Sequence, residues 1–218
     1  MTKITFSFQE NTSIFWEDIK TLRTNILFSG VEKRVLLMAS CMSGEGKSTV
    51  ACELARSFTK MNKSALLIDA DLRKGRISKG YNYSNEVPGL THYLSGQCAL
   101  EDIICATNAA NLYVIPGGLI PSNPTDLLGS ANMKKLVDSA RQAFDYIIID
   151  CAPLCTAIDG AVVATYCDGA LMLIEANRVP RRMGIGVKEQ LNKSGCPVLG
   201  VILNKVDAPK GKYYYYYE

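Results

Sequence analysis

The sequence lacks the long apolar stretch that a membrane-spanning helix requires. No run of about 18 apolar residues occurs anywhere, and residues 1–20 contain no uninterrupted apolar core before their charges begin. We therefore expect a cytoplasmic chain that is neither exported nor embedded in a membrane. The sequence also lacks an excess of either charge, since 24 basic and 21 acidic residues leave a formal net charge of +3. With this balance we expect no nucleic-acid partner.

Metal-binding cysteine motifs and histidine are also scarce. None of the eight cysteines forms a C-x-x-C pair, and the single histidine, His92, is far in sequence from Cys151 and Cys155. Most of the cysteines lie within apolar stretches, which is typical of reduced core residues in a cytosolic protein. We therefore expect free thiols and no zinc site.

The sequence does contain a regular alternation of short apolar runs with helix-like segments. Each run is apolar throughout, as expected for strands in a sheet that helices cover on both faces. At 218 residues the chain fits one domain, and the pattern predicts an α/β fold with a mostly parallel central sheet and helices on both faces. The predicted strands are Val35 to Ala39, Ala65 to Asp69, Leu112 to Ile115, Tyr146 to Asp150, Ala170 to Glu175 and Val198 to Asn204.

One helix and two loops can be predicted around these strands. Apolar residues recur at helical spacing from Ser13 to Ser29, with charged residues between them, which predicts an amphipathic helix before the first strand. Residues Gly75 to Pro88 and Gly117 to Thr125 are rich in Gly, Pro, Asn and Ser, which predicts loops. Both loops follow strands, so we expect them at the carboxyl edge of the sheet, where open α/β sheets bind ligands.

A glycine-rich segment, ASCMSGEGKST, lies between the first predicted strand and a helix predicted to begin near Lys47. Glycines in such a P-loop let backbone N–H groups turn toward phosphate oxygens, and the helix N-terminus adds positive potential. Lys47 would meet the β- and γ-phosphates, and the hydroxyl of Ser48 can hold Mg²⁺. Cys41 occupies the first glycine position of the G-x-x-x-x-G-K-[ST] pattern, so the match is not strict. The predicted nucleotide-binding residues of the loop are Ser43, Gly44, Glu45, Gly46, Lys47, Ser48 and Thr49.

Three aspartates follow predicted strands at the edge of the sheet that carries the P-loop. Asp69 and Asp71 belong to the segment LLIDADLR, and Asp150 ends the strand in YIIIDCAP. Mg²⁺ prefers one or two carboxylates together with phosphate oxygens and water. Three convergent carboxylates therefore predict combined handling of a metal ion and a nucleophile. The predicted metal ligands are Ser48, Asp69, Asp71 and Asp150.

Together these motifs resemble those of the bacterial protein-tyrosine kinases that control capsule and exopolysaccharide production. The D-x-D-x-R segment from Asp69 to Arg73 resembles the second Walker-type motif of that family, and Asp150 to Pro153 resembles its D-x-x-P form of Walker B. The segment SGEGKS resembles the family's P-loop, except that Ser43 stands where proline is usual. The resemblance extends from Glu17 to the C-terminal tyrosines, which is nearly the whole chain.

The resemblance implies an ATP- and Mg²⁺-dependent tyrosine kinase in which Lys47, Asp69, Asp71 and Asp150 are catalytic. Lys47 and Ser48 would bind phosphate and Mg²⁺, and Asp150 would help to hold the metal. Asp69 and Asp71 would position the metal and the attacking tyrosine hydroxyl. Asp69 is the preferred group for activating that hydroxyl, because a phenol with a pKa of about 10 needs orientation and partial deprotonation rather than a strong base.

Three positions leave alternatives open. Asn204 to Asp207 reads N-K-x-D, which many GTPases use to recognise guanine, but D-x-x-P stands in place of their D-x-x-G motif. We therefore favour adenine near Asn204. Met42 occupies the position of the signature lysine of partitioning-type ATPases, which disfavours that class. Arg73 either steadies phosphate charge or is a solvated loop arginine.

The resemblance also implies how the chain is organised. Glu17, Lys20 and Arg23 resemble the family's E-x-x-R-x-x-R oligomerisation motif, with Lys20 in place of the first arginine. We therefore expect a homo-oligomer. The implied divisions are an N-terminal segment with the oligomerisation helix at 1–30, a P-loop kinase domain at 31–208 and a tyrosine-rich tail at 209–218.

The tail and the partners follow from the same resemblance. Autophosphorylation in trans would modify the tail, in the regulation of capsular or extracellular polysaccharide synthesis. A separate membrane protein resembling a chain-length regulator would activate the chain and recruit it peripherally to the membrane, and a protein-tyrosine phosphatase would reverse the modification. The alternatives are a regulatory P-loop ATPase or GTPase, or a nucleotide-gated adaptor, without kinase activity. The expected phosphorylation sites are Tyr213, Tyr214, Tyr215, Tyr216 and Tyr217.

Overall fold

The computed structural model describes residues 2–6, 13–30, 32–73, 81–82 and 87–206. The strands in these ranges are β1 (Lys3–Phe6), β2 (Val35–Ser40), β3 (Ala65–Ala70), β4 (Tyr81–Asn82), β5 (Cys105–Thr107), β6 (Leu112–Ile115), β7 (Tyr146–Cys151), β8 (Gly169–Glu175) and β9 (Val198–Asn204). The helices are α1 (Ser13–Phe28), α2 (Lys47–Thr59), α3 (Leu90–Leu94), α4 (Leu100–Ile103), α5 (Pro124–Leu128), α6 (Ala131–Ala143), α7 (Asp159–Ala164) and α8 (Arg181–Lys193). None of the helices in the described ranges is both long and apolar enough to cross a membrane.

One sheet joins the nine described strands in the order β4-β1-β5-β6-β3-β7-β2-β8-β9. The central strands, from β6 to β9 in this order, pair in parallel. The pairs β1 with β4 and β5 with β6 are antiparallel. The six predicted strands are confirmed, with each end within one residue of its expected position, and so is the mostly parallel α/β fold. The carboxyl ends of β2, β3, β7, β8 and β9 therefore meet at one edge.

Alternate residues of the central strands face two separate apolar cores. In β2, Val35 and Leu37 belong to the first core, whereas Leu36 and Met38 belong to the second. Side chains from α3 to α8 pack into the first core, and side chains from α1 and α2 pack into the second. This arrangement explains why the strands are apolar throughout, because both of their faces are buried. It confirms that helices cover both faces of the sheet.

Three short strands and one helix start were not predicted. β4 lies inside Gly75 to Pro88, so Tyr81 and Asn82 are strand residues and not loop residues; 74–80 and 83–86 lie outside the described residues. β1, β4 and β5 are too short for a periodic side-chain pattern, and the pairing partners of β1 and β4 are distant in the chain. α5 begins at Pro124, within the predicted loop Gly117 to Thr125, because proline suits the first turn of a helix.

The predicted amphipathic helix is confirmed as α1, which ends one residue before the predicted boundary. Ile19 and Ile26 are buried in the second core, beside α2. Ile14 is 66% exposed, so the apolar face is shorter than the sequence pattern indicates. The middle and the C-terminal part of α1 therefore anchor this helix in the second core, against α2.

An ion pair at the opposite, amino edge of the sheet fixes the start of β2. The Asp168 carboxylate accepts hydrogen bonds from the backbone N–H groups of Arg34 and Val35 at 2.9 and 2.7 Å. It also accepts two bonds, at 2.9 and 2.8 Å, from the guanidinium of Arg141. Burial alone would raise the pKa of the Asp168 carboxyl, but these hydrogen bonds outweigh burial and hold the pKa below its usual value.

Candidate nucleotide-binding site

The P-loop joins the carboxyl end of β2 to the first turn of α2. Gly44 and Gly46 have φ angles of 88° and 96°, in the left-handed region that favours glycine. A Cβ atom at Gly46 would also collide with Nδ2 of Asn204, whose side chain would have to move. Glycine at these two positions therefore lets the loop turn over the start of α2.

The P-loop borders a cavity of about 320 Å³ at the carboxyl edge of the sheet. Asp71, which follows β3, and Pro153, which follows β7, complete its wall. Asp69 and Asp150 are fully buried and lie below the surface of this cavity. The cavity is lined by Ser40, Met42, Ser43, Gly44, Glu45, Gly46, Lys47, Ser48, Thr49, Asp71 and Pro153.

Lys47 and Asp150 form a buried ion pair at the floor of the cavity. The Lys47 ammonium donates a hydrogen bond to Oδ1 of Asp150, and the two side chains are 7% and 1% exposed. Burial alone would lower the pKa of Lys47, but the charge and the hydrogen bond of Asp150 outweigh it and raise the pKa above its usual value. Lys47 is therefore a fixed cation at physiological pH.

The other two aspartates approach the same pair from β3. Asp69 and Asp150 are direct neighbours in the pairing of β3 with β7, and Oδ1 of Asp69 accepts a hydrogen bond from the backbone N–H of Asp71 at 3.2 Å. Asp71 lines the same cavity as Lys47, and its charge contributes to the raised pKa of Lys47. The structure thus brings Lys47 and all three predicted aspartates together.

The described residues offer Mg²⁺ an incomplete set of protein ligands. Oδ2 of Asp150 is buried and has no hydrogen-bond partner among the described residues. A carboxylate oxygen in that position suits a hard cation or the water that such a cation carries. No group of three or more His, Cys, Asp or Glu side chains in the described ranges forms a ready-made metal site. These residues fit Mg²⁺ that is held partly by phosphate, which is how this ion usually binds.

Glu45 has a role that the sequence motif did not indicate. Its side chain is 1% exposed, and its oxygens accept hydrogen bonds from the backbone N–H groups of Met42 at 2.8 Å and Glu175 at 3.3 Å. The carboxylate therefore fastens the P-loop to the end of β8. Its partners are backbone atoms, so no pairing of side chains in the sequence could have pointed to this contact.

Two cations brace the outer side of the P-loop. Lys205 Nζ donates to the carbonyl oxygen of Gly44 at 2.8 Å, and Arg178 Nη2 donates to that of Ser43 at 3.3 Å. Both cations also contact Oε2 of Glu175, at 3.1 and 2.6 Å. Sequence reasoning missed Arg178 and Glu175, although their position just at or after the end of β8 was a usable signal.

Asn204 also contacts the P-loop backbone. Its Nδ2 atom donates a hydrogen bond to the carbonyl oxygen of Glu45 at 2.7 Å. The amide group thus holds the loop, and the role of Asn204 in binding the base stays a prediction. Asp207, the last residue of the N-K-x-D segment, lies outside the described residues.

Comparisons with known proteins assign the chain to a family. A family model described as an AAA domain matches residues 33–178. The tyrosine-protein kinase CpsD of Streptococcus agalactiae is 43% identical to this chain, and the match covers 90% of the chain and 86% of CpsD. The chain belongs to the bacterial tyrosine-protein kinases.

Two further comparisons agree. The tyrosine-protein kinase YwqD of Bacillus subtilis (strain 168) is 34% identical across 100% of this kinase and 92% of its own length. The kinase domain of the Escherichia coli tyrosine kinase ETK is similar in structure, with a TM-score of 0.88 and 27% identity, over 95% of this kinase and 82% of the ETK chain. The sequence resemblance and the P-loop fold are thereby confirmed.

Arg73 of this kinase is a loop arginine whose side chain is 39% exposed and is paired with a buried carboxylate, and its role in steadying phosphate charge stays a prediction. Its Nε and Nη2 atoms donate to Oδ2 and Oδ1 of Asp159 at 2.6 and 3.0 Å. Nη2 also donates to Oγ1 of Thr125 at 3.1 Å, and the Thr125 hydroxyl donates to Oδ1 of Asp159 at 2.6 Å. We call Arg73, Thr125 and Asp159 the arginine clamp. Neither Thr125 nor Asp159 was among the sequence candidates.

The predicted oligomerisation residues of the kinase differ in their surroundings. Glu17 and Lys20 are exposed and form an ion pair with each other at 2.6 Å. Arg23 is half-buried, and its Nη1 atom donates to the carbonyl oxygen of Ser57 in α2 at 2.6 Å. Arg23 therefore stabilises the packing of α1 against α2 of the same chain. The predicted phosphorylation sites, Tyr213 to Tyr217, lie outside the described residues.

Proposed function

We propose that this kinase transfers the γ-phosphoryl group of ATP to its own C-terminal tyrosines, in trans within a homo-oligomer, and thereby regulates capsular or extracellular polysaccharide synthesis. The observation that carries the proposal is the cavity in which the P-loop, Lys47 and Asp71 meet, in a chain that belongs to the bacterial tyrosine-protein kinases. The relatives are named tyrosine-protein kinases, and the acceptor and the pathway are our own assignments.

The P-loop and Lys47 would bind the triphosphate of ATP. Its phosphates would draw the Lys47 ammonium away from Asp150, since phosphate oxygens carry more charge than one carboxylate. Both oxygens of Asp150 would then be available to a metal ion, and the Ser48 hydroxyl lines the same cavity. Bound Mg²⁺ would neutralise charge on the phosphate oxygens. Lys47 thus has two alternative partners, Asp150 in this structure and phosphate in the proposed ATP complex.

Asp71 would orient the attacking tyrosine hydroxyl and accept its proton. The sequence favoured Asp69 for this role, but Asp69 is fully buried, whereas Asp71 lines the cavity and can reach a substrate. Asp69 would position Asp71 through the hydrogen bond to its backbone N–H. The phenolic oxygen forms a bond to the γ-phosphorus while the bond to the β,γ-bridging oxygen breaks, and ADP leaves.

The phosphorylated tail would change the association of the kinase. Five phosphotyrosines would add about −7 to −10 charges, which exceeds the formal net charge of +3. A membrane protein resembling a chain-length regulator would activate the kinase and recruit it from the cytoplasm, and a protein-tyrosine phosphatase would reset it. These partners are part of the proposal and stem from the family resemblance.

Phosphotyrosine formation tests the proposal directly. The purified chain with ATP and Mg²⁺ should gain an anti-phosphotyrosine signal that disappears in Lys47→Met, because that variant loses the contact to the β- and γ-phosphates. A chain that hydrolyses ATP but never gains phosphotyrosine would instead be a regulatory ATPase. Binding without either reaction would indicate a nucleotide-gated adaptor.

Competition between nucleotides tests the choice of ATP. The N-K-x-D segment beside the P-loop favours guanine, whereas the D-x-x-P motif favours adenine. Unlabelled ATP should displace labelled ATP more strongly than GTP does. Stronger displacement by GTP would reverse this part of the proposal.

A further inference from the structure

The arginine clamp ties together three segments of the chain, two of which continue from the cavity-lining residues Asp71 and Pro153. Arg73 follows β3, Thr125 is in α5, and Asp159 begins α7, at the end of the segment that follows β7 and contains Pro153. Asp159 is fully buried, and a buried carboxylate is costly unless it is paired and hydrogen-bonded. Arg73 and Thr125 together supply those partners. The clamp therefore has one geometry in which the buried charge is satisfied.

The clamp is joined to Asp71 by a short and buried piece of chain. Arg73 is two residues after Asp71, and Leu72 between them is 1% exposed and belongs to the first core. On its other side Asp71 follows β3 directly, and its backbone N–H is bonded to Asp69. Asp71 is thus held from both sides, by a sheet strand and by the clamp.

We propose that Arg73, Thr125 and Asp159 are positioning residues that hold Asp71 at the separation from Lys47 and Asp150 that binding of the magnesium–nucleotide complex and phosphoryl transfer require. The inference rests on the proposed role of Asp71. A guanidinium that engages both carboxylate oxygens fixes direction as well as distance. The ammonium of a lysine is a point charge and cannot do this.

The Arg141–Asp168 pair is a matched control in the same chain. It has the same two-pronged hydrogen bonding, at 2.9 and 2.8 Å, and its arginine is similarly accessible, with the two side chains 32% and 39% exposed for Arg141 and Arg73. It lies at the amino edge of the sheet, away from the cavity. Loss of either pair should lower the stability of the fold. Only loss of the clamp should also change the nucleotide site.

The experiment compares Arg73→Lys with Arg141→Lys. Calorimetry measures the affinity for ADP with and without Mg²⁺, and steady-state phosphorylation gives kcat and KM for ATP. We expect Arg73→Lys to bind metal-free ADP within about twofold of the wild type, to lose most of the gain in affinity that Mg²⁺ provides, and to lower kcat about 10- to 100-fold, since a displacement of about 1 Å can cost that much. Arg141→Lys should lower the melting temperature and leave both quantities within about twofold.

Two outcomes would overturn the inference. In the first, Arg73→Lys keeps the full Mg²⁺-dependent gain in affinity and the full kcat. In the second, Arg141→Lys lowers both quantities as much as Arg73→Lys does, which would show that only overall stability matters. If Arg73→Lys does not fold, Thr125→Val removes one hydroxyl from the same clamp and takes its place in the comparison. Asp71→Asn separates the two proposals. If Asp71→Asn abolishes the Mg²⁺-dependent gain and kcat while Arg73→Lys changes neither, only the clamp inference fails. If Asp71→Asn also changes neither, the proposed role of Asp71 fails together with the clamp inference.

Discussion

At the scale of single residues, the buried Lys47–Asp150 pair has two duties that conflict. In the structure the ammonium neutralises a carboxylate that is 1% exposed, and with ATP bound we propose that it contacts phosphate. Removing one member of a buried pair is far more costly than removing an exposed ion pair, because an unpaired charge stays buried. A single substitution at Lys47 therefore changes stability as well as catalysis.

We predict that Lys47→Met abolishes phosphorylation and lowers the free energy of unfolding by about 3 kcal/mol, since it leaves the Asp150 carboxylate buried and unpaired. Adding Asp150→Asn should restore much of the stability and none of the activity. Urea unfolding and an anti-phosphotyrosine blot measure the two effects. As a control, Lys63→Met removes an exposed pair with Asp145 and should cost less than about 1 kcal/mol. A Lys47→Met variant as stable as the wild type would contradict the argument.

The motifs located most of the residues around the cavity but not their contacts. Lys47, Asp71 and Asp150 could be found because each directly ends or follows an apolar strand or opens a helix. The contacts of Glu45 and Asn204 could not be found, because their partners are backbone atoms: Glu45 accepts a hydrogen bond from the N–H of Glu175 at the end of β8, and Asn204 at the end of β9 donates one to the carbonyl oxygen of Glu45. A linear motif records residue types and spacing, and it contains no information about such partners.

At the scale of elements, α1 has one face that holds it in place and one that is free to associate. Arg23 bonds the backbone of α2, and Arg56 of α2 lies 4.3 Å above the ring of Trp16. Glu17 and Lys20 point away from these contacts, with side chains 69% and 52% exposed. Exposed ion pairs contribute little to stability. The two charges can therefore be removed without loosening the helix.

We predict that the double variant Glu17→Ala/Lys20→Ala forms a smaller oligomer than the wild type without a lower melting temperature. Arg23→Ala should lower the melting temperature as well, because it also removes the bond to Ser57. Light scattering and thermal unfolding separate the two effects. Lys134→Ala/Asp138→Ala removes a similarly exposed pair from α6 and should leave the oligomer unchanged. If the first variant forms an oligomer of unchanged size, the prediction is wrong and α1 only packs against its own chain.

The buried strands could be predicted from the sequence, and the short strands at one end of the sheet could not. The strands at the centre of the sheet are apolar throughout because two cores enclose them, and the sequence shows this directly. β1, β4 and β5 lie together at one end of the sheet and are two to four residues long. β1 and β4 pair with strands that are distant in the sequence. β5 pairs with the nearby β6, but its three residues are too few for a local pattern to identify it.

At the scale of the whole molecule, the parallel sheet gathers the nucleotide site and the start of the tail at one edge. β9 ends at Asn204, whose amide contacts the P-loop, and Lys205 also contacts that loop. The seven residues from Val206 to Lys212 separate Lys205 from the first tail tyrosine and can span at most about 23 to 25 Å. We expect the tail tyrosines to enter a neighbouring subunit's site, since entering their own site would require the chain to reverse within this length.

We therefore predict phosphorylation in trans, followed by loosening of the assembly as phosphates bring negative charge beside Asp71 and Asp150. The test mixes an inactive Lys47→Met/Asp150→Asn chain that keeps its tail with an active chain that lacks Tyr213 to Tyr217. The inactive chain should gain phosphotyrosine at a rate that rises with protein concentration, and light scattering should show smaller particles. The inactive chain incubated alone should gain none. Labelling confined to full-length active chains, at a rate independent of concentration, would mean that each kinase modifies its own tail and that the oligomer is not needed for the reaction.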